Sequence, residues 1–274
     1  MKVSNLIKHD FASGVMRWRY LASAGLFLLP TLQILGILSI REEPGTWMDC
    51  VFYLFKGSEP ITHFSTMEQV HLPISWILLV GGCLFLNLDY LLNDLTNAGQ
   101  QVLVRCNNKS AWYLSKCAWN AASCVLYFLI GIATTYIAAL LAGINIKLTD
   151  SPTITLDLFM LDNPVTLTAI QCVMAGIVLP MITLITINQL QMMLCLFIKP
   201  ILSFLICISI LVVAVYVNAP FAIGNGAMVI RNGYLTGNSN QPILAFLICI
   251  VVFAGSMVLG MFRFQHFDIL GIDE

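Results

Sequence analysis

Six apolar runs, each about as long as a bilayer crossing, leave this chain few ways to fold. They fall at about 20–40, 73–92, 116–143, 164–187, 200–217 and 242–262. A hydrocarbon core about 30 Å thick takes about 20 helical residues. Inside it, every backbone N–H and C=O must be satisfied within the protein. Continuous runs of this length achieve that as helices, not as alternating barrel strands. The expected fold is an all-α integral membrane protein, with six transmembrane helices in a single domain over 1–274. Composition agrees: 59% of residues are hydrophobic and 10% charged, against about 25% charged in soluble domains. The first run is too long for a secretory signal, and no small-x-small cleavage pattern precedes Arg41, so it is expected to remain as a span. A net charge of −1 supplies no field for nucleic acid, and no nucleic-acid partner is expected.

The cations give an orientation. With the N-terminus in the cytosol, inner segments hold Lys2, Lys8, Arg17, Arg19, Arg105, Lys109, Lys116, Lys199 and Arg263, while outer loops hold Arg41, Lys56, Lys147 and Arg231. That bias predicts six spans with both termini cytosolic, embedded in the bilayer as a multi-pass protein. Ahead of the first span, Val3, Leu6, Ile7, Phe11, Val15 and Trp18 recur at helical spacing among Lys2, Lys8, Arg17 and Arg19. Residues 1–19 therefore read as an amphipathic helix lying in the interface, with Trp18 as an anchor. The apolar piece 47–55 is too short to span and reads as a surface or re-entrant helix. Residues 188–200, NQLQMMLCLFIKP, read as a short link between the fourth and fifth spans.

The spans hold no mid-membrane Asp, Glu, Lys, Arg or His, which counts against a self-powered ion-coupled carrier. GxxxxGK[ST], the loop that cradles nucleotide phosphates, is missing as well, so any ATP-driven movement needs a separate ATPase chain. Polar residues within the runs include Thr31, Gln33, Asn87, Thr134, Thr135, Gln171, Thr183 and Thr186, whose default role is interhelical hydrogen bonding. His63, Glu68 and His71 form the best candidate catalytic cluster, but the Glu-x-x-His spacing occurs once, where a di-metal site needs two. Glu42-Glu43 has no intramembrane His to work with. These groups read as solvated loop residues, and no catalytic residue, metal site or cofactor of the chain's own is expected. Six of the nine Cys lie in these runs and Cys195 in the apolar part of the link, and all seven act as small apolar residues; Cys106 is in the polar hairpin and Cys50 in a loop. No spacing suggests a disulfide framework.

The polar hairpin between the second and third runs carries most of the functional signal. Its segment GQQVLVRCNNKSAWYLSKCAWN (99–120) is similar to the loop before the third span in permease subunits of ABC-2-type exporters. The tail FRFQHFDIL (262–270) is similar to the basic-then-Asp-Ile-Leu endings common among them. The whole pattern, an amphipathic N-terminal helix followed by six spans and one polar first cytosolic loop, resembles that family. The resemblance implies a permease subunit in a bacterial plasma membrane, paired with a second copy or a related permease. Partner ATPase subunits beneath it would bind the ATP and Mg. It implies a coupling helix at about 94–104, in which Leu95, Val102 and Leu103 make apolar contacts with the ATPase and Asp94, Gln100 and Arg105 polar ones. Asn107 to Ser110 then read as a turn. Trp112, Tyr113 and Trp119 read as an interfacial belt, with Lys116 reaching the headgroups. Segment 218–241 would correspond to outer gate elements, with 223–230 either re-entering the membrane or forming a flexible loop. The cargo the resemblance implies is amphipathic, as for exporters that give immunity to antimicrobial peptides, with lipids, glycans and drugs open. The alternative from a different class is a six-span enzyme or scaffold without transport.

Overall fold

The computed structural model describes residues 11, 20–40, 45–59, 72–96, 103, 108–161, 163–217, 219, 221–237 and 241–266, without the side chains of Asn93 and Thr96. Among these residues the protein is all-helical, with no strand. The elements are α1 (Leu21–Ile40), α2 (Trp47–Leu54), α3 (Ile74–Leu86), α4 (Tyr90–Thr96), α5 (Lys109–Leu141), α6 (Pro152–Phe159) and α7 (Ala169–Val173). A π-turn (Met174–Val178) joins α7 to α8 (Leu179–Leu194), and α9 (Pro200–Tyr216) follows. Two 3₁₀ turns (Asn225–Ala227 and Val229–Arg231), α10 (Gly233–Thr236) and α11 (Gln241–Gln265) complete the chain.

Among the described residues, five stretches are long and apolar enough to cross a bilayer: Leu21–Ile40, Ile74–Leu92, Lys109–Leu141, Ala169–Leu194 and Gln241–Gln265. They make this a membrane-embedded, multi-pass protein. The remaining apolar helix, α9, has 17 residues. Contacts sort the bundle into two ends. At the near end, where α1 starts, Tyr20 meets Ser123 and Phe264 meets Trp112. At the far end, where α1 stops, Trp47 N donates to Asn145 O at 2.9 Å and Val229 N to Phe55 O at 2.8 Å. Between the two ends, α8 packs along α11 and α5, and α1 along α5.

Several boundaries differ from expectation, each for a local reason. Helix α5 starts seven residues before the apolar run, because Asn108 Oδ1 caps it by accepting from Ala111 N at 3.0 Å. Lys109 and Ser110 therefore form the first helical turn, and Asn107 lies outside the described residues. Helix α8 runs through the expected link as far as Leu194. Its Asn188, Gln189 and Gln191 are all buried. The π-turn comes just before Pro180, which has no N–H for the carbonyl of Gly176 and crowds it. The tail begins as helix, since α11 ends at Gln265. Of the expected interfacial helix only Phe11 is described; it is helical and meets the Trp119 ring edge-on at 5.0 Å. Trp18 lies outside the described residues.

The short piece α2 is neither on the surface nor solvated. Met48, Asp49, Cys50, Val51, Phe52 and Leu54 are completely buried, against α1, α5, α6 and the π-turn. A capping box starts it: Asp49 N donates to Thr46 Oγ1, and Thr46 N donates back to Asp49 Oδ2 at 2.8 Å. Asp49 Oδ1 also accepts from Ser151 N at 3.0 Å. Burial pushes the Asp49 carboxyl up to about 6, outweighing these hydrogen bonds, and nearby Asp150 pushes in the same direction.

Candidate functional site

The near end carries the candidate site, built where three elements meet. Helix α3 breaks at Asn87, whose Nδ2 donates to Cys83 O at 3.2 Å, and the chain restarts as α4. Helix α4 lies against the first turns of α5. There Lys116 Nζ sits 2.7 Å from Asp94 Oδ2. The Lys116 side chain is 3% exposed and that of Asp94 23%. Two rings flank the ammonium: Trp112 at 4.9 Å and Tyr90 at 5.6 Å from centroid to Nζ.

The end of α11 closes the joint. Phe264 stacks on Trp112 at 5.0 Å and 12°, and on Tyr113 at 5.7 Å and 26°. Leu91, Leu95, Leu103, Cys117, Met192 and Leu196 fill the same cluster. Gly260 lets α11 come close: a Cβ there would fall on the hydroxyl and ring of Tyr113. Lys109 Nζ donates to Gln265 O at 3.2 Å, a favourable cation at a helix C-terminus, and Gln265 Nε2 donates to Ser110 Oγ at 2.9 Å.

The geometry redistributes the residues expected from sequence. Trp112, Tyr113, Lys116 and Trp119, expected as anchors at the lipid surface, are each at most 3% exposed. This corrects the interfacial belt. Amphipathic rings at the edge of a span suit a helix joint equally well, and Lys116 finds a carboxylate before it reaches a headgroup. Leu95 and Leu103, expected to insert into a partner, are 1% and 5% exposed within the chain's own cluster. Asp94 is turned inward to Lys116. Gln100, Val102 and Arg105 lie outside the described residues, as do His63, Glu68, His71, Glu42 and Glu43. Among the described residues, no three His, Cys, Asp or Glu side chains are placed to hold a metal ion.

Above the joint runs a buried polar row, of which Asn188, Gln189 and Gln191 were expected in a link. Asn120 Nδ2 donates to Gln189 Oε1 at 3.3 Å, and Gln189 Nε2 to Cys117 Sγ at 3.2 Å. Asn188 Nδ2 donates to Cys124 Sγ at 2.9 Å, and Gln191 Nε2 to Leu84 O at 3.1 Å. Ser123 Oγ donates to Asn87 Oδ1 at 2.6 Å. These bonds tie α3, α5 and α8 together just inside the near end. The sequence signals were Asn87 and Asn120 within apolar runs, and Asn188 and Gln191 three residues apart with Gln189 beside them, flanked by apolar residues. Phe264 and Gly260 gave no signal beyond the tail's similarity to exporter endings.

The joint can transmit force. Helix α4 is braced to α5 by an ion pair whose lysine is buried, and α5 is stacked on the end of α11 through Trp112 and Tyr113. The joint thereby links the root of the polar hairpin to two long spans. Residues 31–270 match the model of the family DUF2705, described as "Protein of unknown function (DUF2705)". No curated protein and no solved structure matches the chain.

Proposed function

The chain belongs to the DUF2705 family, and for it we propose the role of membrane-spanning permease subunit in an ATP-driven exporter of the ABC-2 type. Under this proposal α9 is the sixth span, since 17 residues suffice for a crossing at the short end of the range. The near end faces the cytosol, as the cation bias requires. The protein sits in a bacterial plasma membrane, pairs with a second permease copy or a related permease, and moves amphipathic cargo such as an antimicrobial peptide. ATP and Mg belong to partner ATPase subunits.

The observation that carries this reading is the near-end joint: the polar hairpin is mechanically tied to α5 and α11 through Asp94, Lys116 and Phe264. Replacing a buried pair by apolar packing is often neutral or stabilising, so a role in holding the hairpin, rather than stability alone, accounts for this one under the proposal. The proposal divides the hairpin residues between bracing and docking. Asp94, Leu95 and Leu103 brace the hairpin, while Gln100, Val102 and Arg105 keep the docking role. A photo-crosslinking amino acid at position 100 or 105 should capture a nucleotide-binding chain in cells, and one at Leu95 should capture none. Equal capture at all three positions, or none at positions 100 and 105, contradicts the assignment.

A further inference from the structure

The far end is fastened in a way that the coupling scheme does not use. Every described hydrogen bond leaving α2 comes from its ends. At the start, Trp47 N reaches Asn145 O, and Asp49 receives Ser151 N. At the finish, Val229 N donates to Phe55 O, and Ile230 N to Lys56 O at 3.1 Å. Next to these bonds sits Arg231, 3% exposed, with all five N–H groups in use. Its Nε donates to Ser58 O at 2.8 Å, and Nη1 donates to Ala214 O at 2.8 Å and to Asn225 Oδ1 at 2.7 Å. Its Nη2 donates to Glu59 O at 3.2 Å and also to Val215 O.

One side chain thus joins three segments: the chain leaving α2, the last turn of α9, and the turns before α10. No described carboxylate pairs with it. Its charge is met by carbonyl dipoles instead. Two of these, at Ala214 and Val215, are end carbonyls of α9, where the helix dipole is negative. Burial pulls Arg231 down to about 10, so it remains charged at neutral pH.

The middle of α2 is held by apolar packing alone. Phe52 meets Phe159 edge-on at 6.2 Å, and Phe52 and Val51 lie over Gly176 in the π-turn, where a Cβ would be only 3.1 Å from the Phe52 ring. A π-turn is an irregular register that often marks a functional site. Gly45 and Gly57 bracket the helix, and Gly57 has φ +77°, a conformation glycine adopts without strain.

We propose that α2 is a plug that closes the far end of the bundle, and that Arg231 is the latch that holds it closed. Non-directional packing in the middle lets the helix move as one piece. The multi-pronged clip at one end fixes when it moves, and the two glycines absorb the dihedral change. The proposal does not depend on which motor, if any, drives the protein.

Cys50 is a native reporter of the plug. It is fully buried in α2, and burial pushes its thiol up to about 12, so it reacts slowly while the plug is seated. The test is labelling of the purified protein in nanodiscs with a charged, membrane-impermeant thiol reagent, read residue by residue by mass spectrometry. Arg231→Gln should speed Cys50 labelling at least about tenfold, the factor in opening given by the loss of one charge-assisted hydrogen bond. Arg231→Lys should fall between it and the unaltered protein. Cys207 and Cys249, inside the spans, should stay slow. A folded Arg231→Gln protein with unchanged Cys50 labelling overturns the latch, and acceleration shared equally by Cys207 and Cys249 overturns it as general loosening. If Arg231→Gln does not fold, hydrogen exchange of the unaltered protein decides. Amides of Trp47–Leu54 exchanging as one group, faster than mid-span amides of α1 and α5, support the plug, and exchange as slow as those spans overturns it.

Discussion

Replacing Lys116 by Met removes the charge that holds Asp94 in the near-end joint while keeping an apolar stem between Trp112 and Tyr90. At 2.7 Å and an effective dielectric constant near 20, the attraction is roughly 6 kcal/mol before the cost of taking both ions out of water. Breaking one side of a buried pair typically costs about 3–5 kcal/mol, because the survivor is left uncompensated. The Asp94 side chain is 23% exposed, so water relieves part of that cost and the lower figure, about 3 kcal/mol, applies. For a chain of this size, about 2–4 °C per kcal/mol places the fall in Tm at roughly 6–12 °C. The assay is thermal unfolding in mild detergent, followed by circular dichroism and tryptophan fluorescence. Adding Asp94→Leu to Lys116→Met should restore much of the loss, since an apolar pair of similar size has no stranded charge. An unchanged Tm in the single variant, or a double variant no better than the single, refutes the idea that this pair braces the hairpin.

Two further outcomes follow from the same geometry. Gly260→Ala drives a methyl into the Tyr113 ring, with the Cζ atom 2.6 Å from the new Cβ; it should cost about 1–3 kcal/mol by overpacking, and Tyr113→Phe should recover part of the loss in the same unfolding assay. Asp49 should make the far end pH-sensitive. Its folded carboxyl titrates near 6 while the unfolded one titrates near 4, so the folded state binds more protons between those values. Stability from this group is full below about 4, falls as pH rises to about 6 and is flat above, by at most about 3 kcal/mol in total. The Tm advantage of the unaltered protein over Asp49→Asn should therefore be larger at pH 4 than at pH 7, and an equal or smaller advantage at pH 4 contradicts the buried-carboxyl account.

The spans were legible because the bilayer imposes one rule on every residue in a run, and length and apolarity are enough to read it. The pairings were not, because each depends on a partner far away in sequence. Lys116 at the edge of an apolar run has two homes of equal chemical sense, a headgroup or a carboxylate. Only the fold of α4 back onto α5 puts Asp94 within reach. Asn188, Gln189 and Gln191 look like a loop when each is counted as a polar residue. Inside the bundle they are helix positions whose amides are met by Asn120, by three thiols and by a carbonyl of α3. The piece 47–55 showed its length but not its depth: Phe52 and Val51 are admitted by Gly176 from another span. Arg231 registered only as one cation in an outer-loop count, although its place in a Gly- and Asn-rich segment free of acids was a hint that carbonyls would have to meet its charge.

The function proposed above requires a separate ATPase chain. The most direct measurement is affinity purification of the full chain from its native membrane in mild detergent, with stoichiometry read by quantitative mass spectrometry. The account predicts a nucleotide-binding subunit in about equal amount, retained by the Lys116→Met variant with its hydrolysis no longer responsive to the permease. Recovery of the chain alone, under conditions that keep other membrane complexes of the same cells intact, would contradict it.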